Sequence, residues 1–305
     1  MKILLFGKHG QIGSELQRAL APLGELVALG RRDAGPAADL ADTAAIARTI
    51  RAERPDAIVN AAGFTDVDRA EHEPELARRL NAEAPAMMAR EAAALGAWLV
   101  HYSSDYVFDG SGSTPWTEDS PMAPLNVYGQ TKLESDHAIR ASGCLHLVLR
   151  TSWIHGATGE NFAAAMLRLA RQRAALCVVD DQVGAPTSAA LLASVTALSL
   201  RAAFGDASLS GTYHVAAAGA TSRWAYARRV IERARHAGVP LALAQGAIEA
   251  IPSSRFPTPA RRPLNSRLDT AKLRRSFGLT LPPWEEGVDA LVDRLIAHPV
   301  ESARP

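Results

Sequence analysis

The chain has 305 residues, with 33 Lys+Arg against 32 Asp+Glu, a formal net charge of +1 and 48% hydrophobic residues. That balance excludes a polybasic nucleic-acid binder, whose affinity comes from clustered positive charge, and no apolar run reaches the roughly 18–20 residues of a membrane-spanning helix. The two cysteines, Cys144 and Cys177, form neither a CxxC nor a metal spacing, which excludes a disulfide framework.

Along the chain, Ile3–Phe6 is a short apolar run, and Gln11–Ala21 follows with helical spacing at Ile12, Leu16 and Leu20. Then come a strand at Leu26–Leu29, a helix at Thr43–Ala52, a strand at Ala57–Val59 and a helix at Ala77–Ala94. Trp98–Tyr102 and Leu145–Leu149 read as strands flanking a helix at Val127–Ala141. Short buried strands alternating with helices predict an α/β fold, a doubly wound parallel sheet covered on both faces. After about residue 150 the rhythm loosens into helices at Asn161–Arg173, Ala189–Ala203, Trp224–His236 and Trp284–Ala297, with a strand at Gly211–Val215. A proline-rich stretch spans Pro252–Pro263, and His298–Pro305 is expected to fray. Met1–Gly7 is too short for a signal peptide and leads straight into a glycine loop, so a cytoplasmic protein is expected.

That loop is Gly7-Lys8-His9-Gly10-Gln11-Ile12-Gly13, a G-x-x-G-x-x-G between strand and helix. Glycines there allow a tight turn and close approach of a pyrophosphate to the free N–H groups of a helix start. A plain strand–helix turn would use the same glycines. The second strand runs into Arg31 and Arg32, with no acid before Asp33. Two guanidiniums suit the 2′-phosphate of NADPH better than a bare ribose, with NADH use possible, although an Arg-rich surface would also place them there. Asp39 and Leu40 are candidates on the adenine side. Small residues after the third strand, Ala62, Gly63, Phe64 and Thr65, would let a cofactor lie against the strand end.

Tyr128-Gly129-Gln130-Thr131-Lys132 puts a phenol and an ammonium on one helical face. An ordinary phenol has a pKa of about 10, and a nearby ammonium and an oxidised nicotinamide both favour phenolate. Tyr128 could then donate a proton to a carbonyl oxygen while hydride reaches the carbon, and Ser104 could hydrogen-bond the same oxygen. The chain has only four lysines, Lys2, Lys8, Lys132 and Lys272, beside 29 arginines. In that background Lys132 stands out as a position that needs a compact ammonium.

With its glycine loop and Y-x-x-x-K, the sequence resembles the extended short-chain dehydrogenase/reductases. Longer strings are similar to the dTDP-4-dehydrorhamnose reductase family: Leu4-Leu5-Phe6-Gly7-Lys8, Ile58-Val59-Asn60-Ala61-Ala62, His101-Tyr102-Ser103-Ser104-Asp105-Tyr106-Val107-Phe108, Pro124-Leu125-Asn126-Val127-Tyr128-Gly129, Arg150-Thr151-Ser152-Trp153, Asp181-Gln182-Val183-Gly184-Ala185-Pro186-Thr187 and Pro259-Ala260-Arg261-Arg262-Pro263-Leu264-Asn265-Ser266. The resemblance implies hydride delivery to C4 of a dTDP-linked 4-keto-6-deoxy sugar, for cell-surface polysaccharide. It assigns Tyr128 as proton donor, Lys132 as its partner and Ser104 as the third member, where relatives often carry Thr. Trp153 and Asp105 match substrate-contacting positions, and Gly10, Gln11, Ile12, Asp39, Leu40, Gly63, Phe64 and Thr65 match cofactor contacts. Relatives with an acid near position 30 accept NADH, and Gly30 departs from that. Some bind Mg²⁺ through glutamates at a dimer interface; Glu15 matches one ligand, but Ala190 and Val292 stand where others belong, so no metal site is assigned and monomer and homodimer stay open. The Arg261–Arg262 pair could meet a substrate pyrophosphate or be surface charge. The expected division is a Rossmann-type dinucleotide-binding domain over 1–152, rejoined by about 187–217, and a smaller C-terminal substrate-binding domain mainly over 153–305. Epimerases and dehydratases share Y-x-x-x-K, and a non-catalytic regulatory subunit resembling that of methionine adenosyltransferase is the reading from another class.

Overall fold

The computed structural model describes residues 1–31, 33 and 38–297; the readings made for Arg32 and for His298–Pro305 lie outside those residues. The first half runs β1 Lys2–Phe6, α1 Gln11–Leu20, β2 Glu25–Leu29, α2 Thr43–Glu53, β3 Ala57–Asn60, α3 Val67–His72, α4 Pro74–Arg78, α5 Ala84–Leu95, β4 Trp98–Ser104, α6 Val127–Ala141 and β5 His146–Thr151. The second half adds β6 Ile154–His155, α7 Phe162–Gln172, β7 Leu176–Val179, β8 Val183–Gly184, β9 Thr187–Ser188, α8 Ala189–Gly205, β10 Gly211–His214, β11 Thr221–Ser222, α9 Arg223–His236, β12 Ile248–Ile251, α10 Ala271–Phe277 and α11 Trp284–Ala297.

Six strands form one sheet in the order β10-β5-β4-β3-β1-β2, every neighbouring pair parallel. This is the expected Rossmann-type α/β arrangement. The two-residue period of a strand sends Ile3 and Leu5 to one face, against Leu16 of α1 and Leu192 of α8. Leu4 and Phe6 go to the other face, against Ile46 of α2 and Met88 of α5. Both faces are covered, which explains why these strands read as continuous apolar runs. Helix α8 brings a chain segment far along the sequence back to the sheet, where Thr196 and Tyr102 share a 2.6 Å hydroxyl contact, and β10 then pairs with β5. Since β2 and β3 lie on opposite sides of β1, a crevice opens beyond its carboxyl end.

A separate apolar cluster joins α7, α9 and α11 around Trp153, Tyr226 and Trp284. A small parallel pair, β7 with β12, which the sequence did not announce, packs in a further apolar cluster with Ala170, Ile231 and Leu243. The helix expected over Ala77–Ala94 is divided. A π-helical turn at Arg79–Glu83 separates α4 from α5, and Ala84 N–H reaches back to Arg79 O. Pro85 has no N–H to offer the Asn81 carbonyl, so the regular ladder breaks there.

Leu5 is fully buried in the sheet, whereas Leu198 of α8 is exposed. Leu5→Ala is expected to cost about 2–5 kcal/mol, read as a lower urea midpoint with an unchanged slope. Leu198→Ala should stay within about 0.5 kcal/mol, and equal effects would contradict this placement of the core.

Candidate active site

Parallel pairing puts the ends of β1, β3, β4 and β5 on one edge of the sheet, and the segments that follow them line the crevice. Helix α6 enters this edge under tight control. Asn126 caps it, accepting from Gly129 N at 2.8 Å while its amide donates to Arg261 O at 2.8 Å. Val127 N donates to Glu71 at 2.8 Å. A Cβ on Gly129 would lie 2.2 Å from Tyr106 O, so only glycine lets the helix press this closely on the loop after β4.

Lys132 is buried one turn after Tyr128 and donates to Tyr102 O at 2.9 Å. Burial lowers its pKa to about 8, and the nearby Asp136 opposes that shift. Asp136 is itself buried and accepts from Arg150 at 2.9 Å. Beside them, Asn60 Nδ2 meets His101 Nδ1 at 3.2 Å, His101 Nε2 meets Ser135 Oγ at 3.2 Å, and Ser135 donates to Lys132 O at 2.7 Å. An amide N–H donates, so this chain assigns a neutral imidazole with its proton on Nε2. Burial, with the charge of Lys132 as a second cause, holds the His101 pKa well below its ordinary value.

Ser104 ends β4, donates to Asp105 at 3.1 Å and also hydrogen-bonds the Tyr128 phenol, whose ring packs edge-on against Tyr106. The ammonium alone does not lower the phenol pKa here. Burial raises it and the Asp105 charge adds to the rise, while Ser104 only partly compensates. Lys132 is turned to the Tyr102 carbonyl, so the phenol stays protonated at neutral pH. Asp105 is buried with one oxygen unpartnered. Burial raises its pKa to about 6 against the pull of the Ser266 and Ser104 hydroxyls and Arg223.

At the glycine loop, Gly7 adopts φ +90° and a Cβ there would lie 2.8 Å from the Ala61 backbone. A Cβ on Gly13 would lie 2.0 Å from Gly7 O, so the loop and α1 meet at backbone contact. Gly10 precedes α1 without a side-chain cap and the first turn holds no acid, leaving donors for an anion. Gln11 flanks this turn, reaching Glu160 O at 3.3 Å, while Ile12 is buried in the core behind it. Asp33 folds back onto Gly30 N at 2.7 Å, Lys8 at 2.7 Å and His9 at 3.2 Å. Led by Lys8, these contacts lower its pKa to about 2. Arg31 is exposed beside it, and Arg32 lies outside the described residues. Asp39 accepts from Ala41 N, and Leu40 is buried under the sheet.

After β3, Ala62 N donates to Asn60 and Gly63 and Thr65 are exposed, whereas Phe64 is buried. Asn81, which the sequence reading missed, is fully buried in the π-helical turn. It accepts from Phe64 N at 2.8 Å and donates to Phe64 O at 3.0 Å and to Thr131 at 3.2 Å. One amide thus ties the 63–65 loop to α6. Its signal lay in Asn-Ala-Glu-Ala-Pro, where Pro85 disrupts the ladder beside a polar residue.

Beyond Tyr106 lies a cleft of about 1230 Å³ walled by Trp153, Arg223, Tyr226, Phe256, Arg261 and Arg262, among others. Trp153 is held at φ +48°, a sparsely populated backbone region for a non-glycine residue. Arg223, also unforeseen, stacks on its indole at 3.7 Å from the ring centroid. Arg262 is engaged by Asp68 through both guanidinium nitrogens, the second at 2.7 Å, whereas Arg261 is exposed. Glu15 is paired with Arg18 and, at 3.4 Å, with Arg294, while Val292 is buried in an apolar cluster. These residues do not fit a hard-cation site, and among the described residues no cluster of three His, Cys, Asp or Glu could hold a metal. No helix there is long and apolar enough to cross a membrane.

A family model described as the RmlD substrate binding domain matches residues 1–297. The chain is 50% identical over 295 residues to the dTDP-4-dehydrorhamnose reductase of Escherichia coli (strain K12), covering 97% of this chain and 98% of that one. Against the enzyme of that name from Burkholderia thailandensis it is 42% identical over 304 residues, covering 98% and 100%. A Bacillus anthracis dTDP-4-dehydrorhamnose reductase solved in complex with NADP superposes with a TM-score of 0.84 at 29% identity, covering 95% of this chain and 98% of that chain.

The raised Asp105 pKa carries a pH signature. From about pH 4 to about 6 the folded protein keeps this proton while the unfolded chain releases it, so folding stability falls as pH rises through that window. Asp105→Asn should flatten this part of the curve in urea melts. An unchanged slope would show that Asp105 titrates normally.

Proposed function

The chain belongs to the RmlD substrate-binding-domain family, and from that premise we propose that it catalyses NADPH-dependent reduction of the C4 ketone of dTDP-4-dehydro-L-rhamnose, yielding dTDP-L-rhamnose. The observation that carries the reading is the meeting of Ser104, Tyr128 and buried Lys132 at the sheet edge, beside a cleft large enough for a nucleotide sugar. Gly7, Gly10, Gln11, Ile12 and Gly13 would hold the cofactor diphosphate, Ala62, Gly63, Phe64 and Thr65 its nicotinamide half, and Arg31, Arg32, Asp39 and Leu40 its adenosine half. The bound cofactor supplies hydride.

The protein's own residues handle the proton. Tyr128, kept protonated by burial, donates to the oxygen that becomes the C4 hydroxyl. Ser104 hydrogen-bonds that same oxygen and fixes the carbonyl against the phenol. Lys132, held against the Tyr102 carbonyl one helical turn from Tyr128, is the ammonium that would hold the nicotinamide ribose. Trp153, its indole backed by Arg223, would contact the sugar, and Asp105 would offer an acceptor for a sugar hydroxyl. Residues 1–152, rejoined by about 187–217, serve the dinucleotide, and 153–305 mainly serve the sugar. A cytoplasmic enzyme, monomeric or homodimeric, completes the proposal.

Tyr128→Phe should lower kcat by roughly 10²–10⁴ in NADPH oxidation assays while NADPH still binds. Activity equal to wild type would remove Tyr128 from the proton-donor role. Replacing Arg31 and Arg32 together by Ala should cut the NADPH-over-NADH preference about tenfold, near 1.4 kcal/mol. An unmoved ratio would rule out a phosphate clamp there.

A further inference from the structure

Arg223 opens α9 directly after its cap, Ser222, and its backbone N–H donates to Gln182 O at 3.2 Å. Its guanidinium carbon lies 3.7 Å from the Trp153 ring centroid and 5.1 Å from that of Phe162. Most of the guanidinium is enclosed, yet among the described residues no carboxylate or carbonyl accepts a hydrogen bond from it. Of the other cations around the cleft, Arg261 is exposed to solvent, whereas Arg262 and Arg255 are paired. Arg262 is neutralised by Asp68 through a two-point contact, and Arg255, on the nearby proline-rich segment, pairs with Glu249 at 2.9 Å. Asp105 favours the charge of Arg223 and Arg262 opposes it, so the group stands between the reacting end of the site and the rim.

Stacking occupies the face of a guanidinium and leaves its N–H edge for planar, two-point contact with phosphate oxygens. A cation so enclosed and so poorly paired is costly unless an anion completes it. We propose that Arg223 is the principal diphosphate-binding residue of the cleft and sets substrate affinity there, in place of the sequence-adjacent Arg261–Arg262 pair. The sugar then lies toward Trp153 and Tyr128, and the nucleoside toward Phe256 and the proline-rich rim. The inference rests on the nucleotide-sugar reading above.

The test is calorimetric titration of dTDP into the cofactor-free protein, comparing wild type with Arg223→Met, which keeps apolar cover on the indole, and Arg223→Lys, which keeps the charge. Arg223→Met should weaken dTDP binding about 30-fold, equal to ~2 kcal/mol, and flatten the dependence of affinity on salt. Arg223→Lys should recover part of the loss, NADPH affinity should not move, and the defect in turnover should fall in KM more than in kcat. Arg223→Met binding dTDP within about threefold of wild type, or Met and Lys variants losing affinity equally, would overturn the diphosphate assignment. If NADPH binding falls instead, the residue serves the cofactor and the assignment is likewise overturned. Wild-type protein that reduces dTDP-4-dehydrorhamnose while Arg223→Met keeps full dTDP affinity sinks only this inference. Wild type that neither binds dTDP nor reduces the sugar sinks the functional reading with it.

Discussion

A buried ammonium must be satisfied, and much of the site is arranged around that need at Lys132. Its proton-bearing nitrogen finds the Tyr102 carbonyl at the end of β4, which locks α6 against the sheet at the height where Ser104 emerges. Asp136 and Arg150 continue the same line of charge beneath the helix. Deleting one member would leave another charge desolvated without its partner, a penalty larger than that of the pair's absence. The neutral His101 chain runs beside it and joins the β3 end to the same helix turn. Catalytic geometry and fold stability therefore draw on one set of contacts.

Elements whose signal is local were legible in the sequence. Burial of Ile3, Leu4, Leu5 and Phe6 on both faces of the sheet is written in an apolar run too short for a helix, and the glycine loop names its own turn. Tyr128 and Lys132 share a helical face because four residues make about one turn. What periodicity could not supply was depth. The phenol pKa rises because of how completely the surrounding protein excludes water, and no spacing rule measures that. Likewise Asn81 sat inside a stretch whose apolar pattern suggested an unbroken helix, although Pro85 already held the reason for the break.

The cleft was the least legible part, since its walls come from segments far apart in sequence. Trp153 follows β5, Arg223 starts α9, and Phe256 and Arg262 belong to the proline-rich stretch. Arg262 illustrates the difficulty. As a letter beside Arg261 it suggested a free cation, but Asp68, from an element the sequence reading did not foresee, had already claimed it. In an arginine-rich chain the useful question about each guanidinium is which acceptors remain within its reach. Arg223 stands out because it is enclosed against an indole with its donor edge free, whereas Arg261 is exposed at the rim.

The return of α8 and β10 to the sheet has a consequence for synthesis on the ribosome. Until Leu192 has emerged the face bearing Ile3 and Leu5 lacks its cover, and until residue 214 follows the outer edge of β5 stays unpaired. A nascent chain that ends near residue 152 presents adhesive backbone and oily surface at once, the combination that invites chaperone capture or misassembly. The apolar cluster around Tyr226 and Trp284 draws on Trp153 and α7, which are made before that closing strand, and on α9 and α11, which are made after it. Its early members must wait for the sheet to be completed, so the two halves of the molecule mature as interleaved steps of one translation event.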